Sequence, residues 1–195
     1  MIKKIAFLFP GQGSQIVGMG KDIYENYTSA KDIYETADNV LGKSISRICF
    51  EGPEDELKQT INTQPAIVTT SIALMEAFRS EINITPDYTA GHSLGEYCAM
   101  FTAGVMSLET TLKLIQKRAE LMGTTKGGSM AAVLNASEET INLGLKEGRK
   151  VGYVDIANYN SPVQVVITGA DDAVKAASEY LTANGAKRVI PLAVS

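Results

Sequence analysis

At 195 residues, with 45% hydrophobic and 21% charged residues, the chain has the size and composition of one globular domain, or one domain carrying a smaller inserted one, with enough apolar sequence for a sizeable core. A net charge of -4 supplies no basic stripe for nucleic acid. The apolar run after Lys3-Lys4 stops at Pro10-Gly11, too short for a signal-peptide core, and nothing later approaches a membrane span.

Ile5 to Phe9 is a compact apolar run ended by Pro10-Gly11, which predicts a strand buried on both faces. Gly11-Gln-Gly-Ser-Gln15 predicts a flexible turn into a helix near Val17 to Tyr27. Ser29 is the expected cap of a second helix carrying Ile33, Ala37 and Leu41. The two cysteines, Cys49 and Cys98, have no metal-ligand spacing and read as reduced thiols of a cytoplasmic protein. Pro65 suits the first turn of a mostly apolar helix ending near Ser80, with Thr63 or Gln64 as its cap. Tyr88 to Ala90 is a short strand leading into a glycine-flanked serine. A helix follows to about Ala103, with Gly104 at its end, and Ser107 caps the next, which runs through Leu108, Leu112, Ile115, Ala119 and Leu121.

Gly127-Gly128 is the clearest linker, and beyond it the pattern changes. Met130 to Leu134 predicts a strand, Ser137-Glu-Glu opens a helix, and Tyr153 to Ala157 predicts a second strand. Asn158 to Pro162 is the expected turn and Val163 to Thr168 the third strand. A helix over Asp171 to Ala183 and a last strand over Arg188 to Val194 complete a β-α-β-β-α-β order, that of a ferredoxin-like unit. The expected domains are residues 1–126 and 127–195.

Gly91-His92-Ser93-Leu94-Gly95 fits the G-x-S-x-G turn in which a strand bends sharply into a helix and thrusts a serine out at the tip. The helix that follows aims free N–H groups at a developing oxyanion. His92 is the single histidine of the sequence. Adjacent side chains in a tight turn diverge, so it reads as hydrogen-bonded support within the elbow rather than as the base for Ser93. A carboxylate or lysine base is open in principle, but no spacing singles one out. The loop Pro10 to Gln15 matches neither glycine-rich phosphate pattern; it leaves the Gln12 N–H free to donate, or is a plain strand-to-helix turn.

Read in order, "FPGQGSQ" at 9–15, "QPA" at 64–66, "GHSLGEY" at 91–97, Arg118 inside "QKRAELM", "NYNSPVQVVITG" at 158–169 and "GAKRVIPLAVS" at 185–195 resemble the malonyl-CoA:acyl carrier protein transacylases over the whole chain. The resemblance implies an α/β fold: an α/β-hydrolase-like large subdomain, incomplete at its C-terminal end, with a ferredoxin-like small subdomain. It implies that Ser93 takes malonyl from malonyl-CoA as an ester and passes it to the phosphopantetheine thiol of acyl carrier protein, in fatty acid synthesis. No permanently bound cofactor and no metal are implied. Gln12 and Leu94 become the oxyanion hole through their N–H groups. Arg118, 25 residues after Ser93, becomes the grip on the malonyl carboxylate, for which a guanidinium has the planar fork that lysine lacks. Gln64, Tyr97, Met122 and Asn160 are further candidates for the acyl pocket, beside His92 in support.

The family's base is a histidine just beyond the last strand of the small subdomain, and this sequence has only His92. The expectation is therefore an N-terminal part of a transacylase, nearly inactive alone, whose histidine comes from a complementary C-terminal polypeptide. Neither nucleic acid nor a membrane is an expected partner. Competing readings are a serine esterase or thioesterase, which shares the elbow but uses water as acceptor, and a non-catalytic acyl-binding fragment.

Overall fold

The computed structural model describes residues 4–124 and 127–192. The chain divides into two compact units, Met1–Thr124 and Thr125–Ser195. The boundary expected between 126 and 127 adjoins residues 125 and 126, which lie outside the described residues, as does the end of the last expected strand beyond Leu192.

The first unit runs β1 (Ala6–Phe9), α1 (Lys21–Asn26), α2 (Thr28–Leu41), α3 (Ile45–Glu51), α4 (Glu54–Leu57), α5 (Thr60–Glu81), β2 (Tyr88–Gly91), α6 (Gly95–Thr102) and α7 (Leu108–Thr124). β1 and β2 pair in parallel, Ala6 opposite Tyr88 through Phe9 opposite Gly91. Asp87 pins that register, accepting from the Ile5 N–H at 2.9 Å and from Lys4 Nζ at 3.1 Å. The expectation of a strand buried on both faces is corrected: Phe9 is buried, whereas Leu8 is 76% exposed and Tyr88 62% exposed. The pleat sends alternate side chains to opposite faces. Phe7 meets Phe78 of α5 edge to face at 6.0 Å, and Leu8 points the other way.

Three helix starts also differ from expectation. α1 begins at Lys21 rather than near Val17, because Gly18 and Gly20 take left-handed φ of 94° and 75° and turn the chain. α2 is entered from Tyr27, whose extended backbone ends α1 and starts α2, so Ser29 falls inside the first turn and caps nothing. α5 begins at Thr60, which places Pro65 inside the helix. A proline there cannot donate to the carbonyl four residues back, that of Ile61. Lys43 answers the vacancy: its Nζ donates to the Ile61 carbonyl at 3.0 Å and to Asn62 Oδ1 at 3.1 Å. Desolvation holds the Lys43 ammonium below the usual lysine range, against the opposing pull of Glu120 and Glu56.

α5 is the axis of the unit. Its residues from Asn62 to Ala73 are buried, and α2, α3, α6 and α7 pack around it. A helix enclosed on all sides must hide its polar side chains in pairs. Thr63 donates to the Leu57 and Gln59 carbonyls, and Thr70 meets the Tyr34 hydroxyl at 2.8 Å.

The second unit runs β3 (Ser129–Leu134), α8 (Glu138–Gly148), β4 (Val154–Ser161), β5 (Gln164–Gly169), α9 (Asp171–Ala183) and β6 (Arg188–Leu192). Its antiparallel sheet has the order β4-β5-β3-β6. Alternate apolar positions of the sheet meet Ile141, Leu145, Val174, Ala177 and Leu181 from the two helices in one core. Ser137 caps α8, its hydroxyl accepting from the Thr140 N–H at 3.1 Å. The expected turn at Asn158 to Pro162 is corrected: β4 continues to Ser161, with Asn158 opposite Val166 and Tyr159 opposite Val165. Two register shifts, after Ile156 and after Tyr159, let the polar run stay in the ladder. The chain is thus a mixed α/β protein with one parallel and one antiparallel sheet.

Candidate active site

β2 ends at Gly91 and α6 begins at Gly95, leaving three residues to reverse direction. Ser93 sits at the tip with φ 54°, a left-handed backbone costly for a residue with a Cβ. The turn is held from both sides. The His92 N–H donates to the Phe9 carbonyl at 3.0 Å, the Gly95 N–H to the His92 carbonyl at 2.9 Å, and the Glu96 N–H to the Ser93 carbonyl at 3.2 Å. A Cβ at Gly91 would overlap the Gly95 carbonyl, and one at Gly95 would run into the Phe9 and Pro10 carbonyl oxygens. These contacts are backbone to backbone, so neither position admits a side chain. Leu94 is fully buried and anchors the start of α6.

The loop after β1 lies against this elbow. A Cβ at Gly11 would meet the His92 ring and carbonyl. Two polar side chains, whose roles sequence reading missed, fix the loop. Ser14 Oγ donates to the Gly11 carbonyl at 2.9 Å, and Gln15 Oε1 accepts from the Gly13 N–H at 2.8 Å. The available signal was a serine and a glutamine packed beside two glycines, a composition that favours local side-chain-to-backbone bonds. Among the described residues, neither the Gln12 N–H nor the Leu94 N–H is spent on a backbone hydrogen bond.

Arg118 reaches the elbow from α7. The buried stripe Thr111, Leu112, Ile115 and Ala119 sets the rotation of that helix and leaves Arg118 half-buried at the rim of the unit. Its Nη2 donates to Ser93 Oγ at 2.9 Å, and its Nη1 donates to Gln64 Oε1 at 2.5 Å. Gln64 itself is fully buried on α5, and its Nε2 donates to Met122 Sδ at 3.3 Å. Residues 54 and 25 apart from Arg118 in sequence therefore converge on one guanidinium. Its neighbour Lys117 makes an exposed pair with Glu120 at 3.6 Å.

Of the other expected site residues, Tyr97 lies in the first turns of α6, half-buried against the core. His92 stands beside Gly11. Asn160 belongs to the second unit, on β4, with its Nδ2 3.4 Å from Gln164 Oε1. Both cysteines are free and buried, and burial pushes the thiols of Cys49 and Cys98 up to about 12. Among the described residues no cluster of histidine, cysteine or carboxylates is arranged to hold a metal, and no helix is long and apolar enough to cross a membrane.

A strained serine at the tip of a strand-to-helix elbow, with a guanidinium 2.9 Å from its hydroxyl, can form an ester with an acyl group. The acyl transferase domain family matches residues 6–195. The chain belongs to that family. It is 47% identical over its full length to the malonyl CoA-acyl carrier protein transacylase of Bacillus subtilis. It superposes with a TM-score of 0.94 on an acyl carrier protein S-malonyltransferase from Vibrio cholerae, at 39% identity over 99% of this chain. A third similar structure, at 37% identity and a TM-score of 0.92, is a malonyl-transacylase in complex with a type II polyketide acyl-carrier protein. The chain spans 62% of the length of the Bacillus relative and 64% of the Vibrio one.

Proposed function

We propose that the protein transfers malonyl groups from malonyl-CoA to the phosphopantetheine thiol of acyl carrier protein, with Ser93 as the covalent carrier. The observation that carries this reading is the 2.9 Å contact between Arg118 Nη2 and Ser93 Oγ. It puts a cationic fork directly beside the nucleophile, where an acyl group ending in a carboxylate has its charge met once the guanidinium exchanges the hydroxyl for it.

In the first half-reaction Ser93 Oγ attacks the thioester carbonyl, its proton passes to a base, and the Gln12 and Leu94 N–H groups receive the oxyanion. The C–S bond breaks, coenzyme A leaves as the thiol, and malonyl remains as the Ser93 ester. In the second half the carrier thiol attacks that ester and the proton returns to Ser93. Arg118 binds the distal carboxylate throughout, in exchange for its contact with the serine hydroxyl. An acyl group without a carboxylate leaves the guanidinium unmatched, which sets the preference for malonyl.

The sequence holds one histidine, and it lies next to Ser93 in the turn. The proposed base is therefore a histidine outside these 195 residues, in sequence corresponding to the part of the relatives that the chain does not span. A complementary C-terminal polypeptide is the proposed source, and a cytoplasmic location fits the substrates.

Mass spectrometry of the Ser93 peptide after exposure to malonyl-CoA tests the reading. Rapid malonylation is expected only with the complementary polypeptide present, and Arg118→Ala should lower it about ten- to a hundredfold while acetylation persists. Free malonate released at a rate independent of carrier protein would instead make the protein a hydrolase.

A further inference from the structure

The guanidinium of Arg118 is held at two points, and the second leads away from the reacting serine. A guanidinium has only donors, so the Gln64 atom that faces Nη1 must be the carbonyl oxygen. That fixes the direction of the amide and turns its Nε2 toward α7, where the acceptor it meets is Met122 Sδ at 3.3 Å. Met122 stands one helical turn beyond Arg118, on the same face of α7. The result is a closed loop of side chains: Arg118 to Gln64, Gln64 to Met122, and Met122 back along one turn of helix to Arg118.

We infer that Met122 is a positioning residue for carboxylate selectivity, acting on Arg118 through Gln64. This rests on the proposed role of Arg118. Gln64 is fully buried, so its amide hydrogens have no bulk water to turn to. A buried donor left unmade costs more than a weak bond contributes. Without the thioether, Gln64 gains by rotating its amide toward another acceptor, and its Oε1 leaves Nη1. Arg118 then has Ser93 Oγ as its remaining anchor, the contact that a carboxylate must displace. The guanidinium that the ligand meets is no longer pre-set, and ordering it counts against binding.

An apolar residue of similar volume separates this role from simple packing, because Met-to-Leu exchange conserves bulk. The measurement is calorimetric affinity for malonyl-CoA and for acetyl-CoA, on the full chain with its complementary polypeptide and with Ser93→Ala, which prevents ester formation and leaves Gln64 to hold Arg118. Met122→Leu should weaken malonyl-CoA binding about five- to tenfold, the loss of roughly one hydrogen bond's worth of organisation, and leave acetyl-CoA binding within about twofold. In a Gln64→Leu background the same substitution should have no further effect on malonyl-CoA, since the relay is already cut.

Equal weakening for both ligands would overturn the inference, making Met122 a packing residue only. Unchanged malonyl preference in Met122→Leu, or full additivity with Gln64→Leu, would overturn it too. A parent protein that binds both ligands alike fails earlier and differently: the reading of Arg118 falls, and the role of Met122 falls with it.

Discussion

The two units obtain their order from different distances along the chain. In the second, every strand pairs antiparallel with a partner inside a 71-residue stretch, and two amphipathic helices cover one apolar core. In the first, the only described strand pair joins Ala6 to Tyr88, and a helix buried on all sides carries six polar side chains into the interior: Asn62, Thr63, Gln64, Thr69, Thr70 and Ser71. Left-handed backbone occurs at a non-glycine residue in both, at Ser93 and at Asn135. Asparagine tolerates that region, whereas serine is held there by its surroundings. Regular, local pairing builds a scaffold, while long-range convergence builds a site.

Glycine substitutions give the sharpest way to break this contrast. Gly95→Ala sets a methyl against the Phe9 and Pro10 carbonyls, which only backbone movement can relieve, and should destabilise the first unit by at least about 3 kcal/mol. Gly144→Ala, in the second unit, has the Leu181 side chain as its nearest obstacle. It should cost about 1–2 kcal/mol, partly offset by alanine's helix propensity. Urea unfolding followed by hydrogen exchange in each unit measures both, and equal costs would erase the distinction.

Alkaline pH should also separate the units, because both cysteines lie in the first. Burial raises each thiol from 9.0 to about 12, so the unfolded chain releases these protons first. Their contribution to stability is complete below pH 9 and is lost as pH rises from there to about 12. The denaturant midpoint of the first unit should fall across that window more steeply than that of Cys49→Ala/Cys98→Ala, with the second unit as internal control.

Lys43 tests how the buried helix tolerates its proline. Lys43→Met removes the side-chain donor from the partly exposed Ile61 carbonyl and should cost about 0.5–1 kcal/mol by thermal or urea unfolding. In a Pro65→Ala background, where residue 65 regains an N–H, the same change should cost less than half as much. Additive costs would mean that the ammonium serves Asn62 rather than the carbonyl.

An effect as small, of opposite sign, is expected at the elbow itself. Ser93→Gly removes the proposed nucleophile and relieves the left-handed strain, giving a net gain of about 0.5–1 kcal/mol after the added flexibility of the unfolded chain. A loss of stability on that change would place the Arg118 contact above the backbone strain.

The second unit was the more legible in sequence, since its β-α-β-β-α-β order follows from alternation, caps and a glycine linker. Its one misreading, at Asn158 to Ser161, came from polar residues that bulges keep in a strand. The elbow was legible because Gly91 and Gly95 are required by close approach of backbone. Pro65 was misplaced because the compensating donor, Lys43, is 22 residues away, beyond any local pattern. The exposure of Leu8 escaped for the opposite reason: an apolar run shows what a strand can bury, and burial depends on which neighbours arrive. Ser93, Arg118, Gln64 and Met122 were each visible as candidates, but their connection is tertiary. No spacing reveals that one guanidinium bridges a serine in the elbow and an amide on α5.

The left-handed φ of 54° at Ser93 also decides which alcohol the site can use. Threonine carries a hydroxyl of similar reactivity, but its second Cβ substituent crowds the preceding carbonyl in this region, where branched residues are rare outliers. The elbow thus filters by branching before reactivity counts, and a primary alcohol is what its backbone accepts.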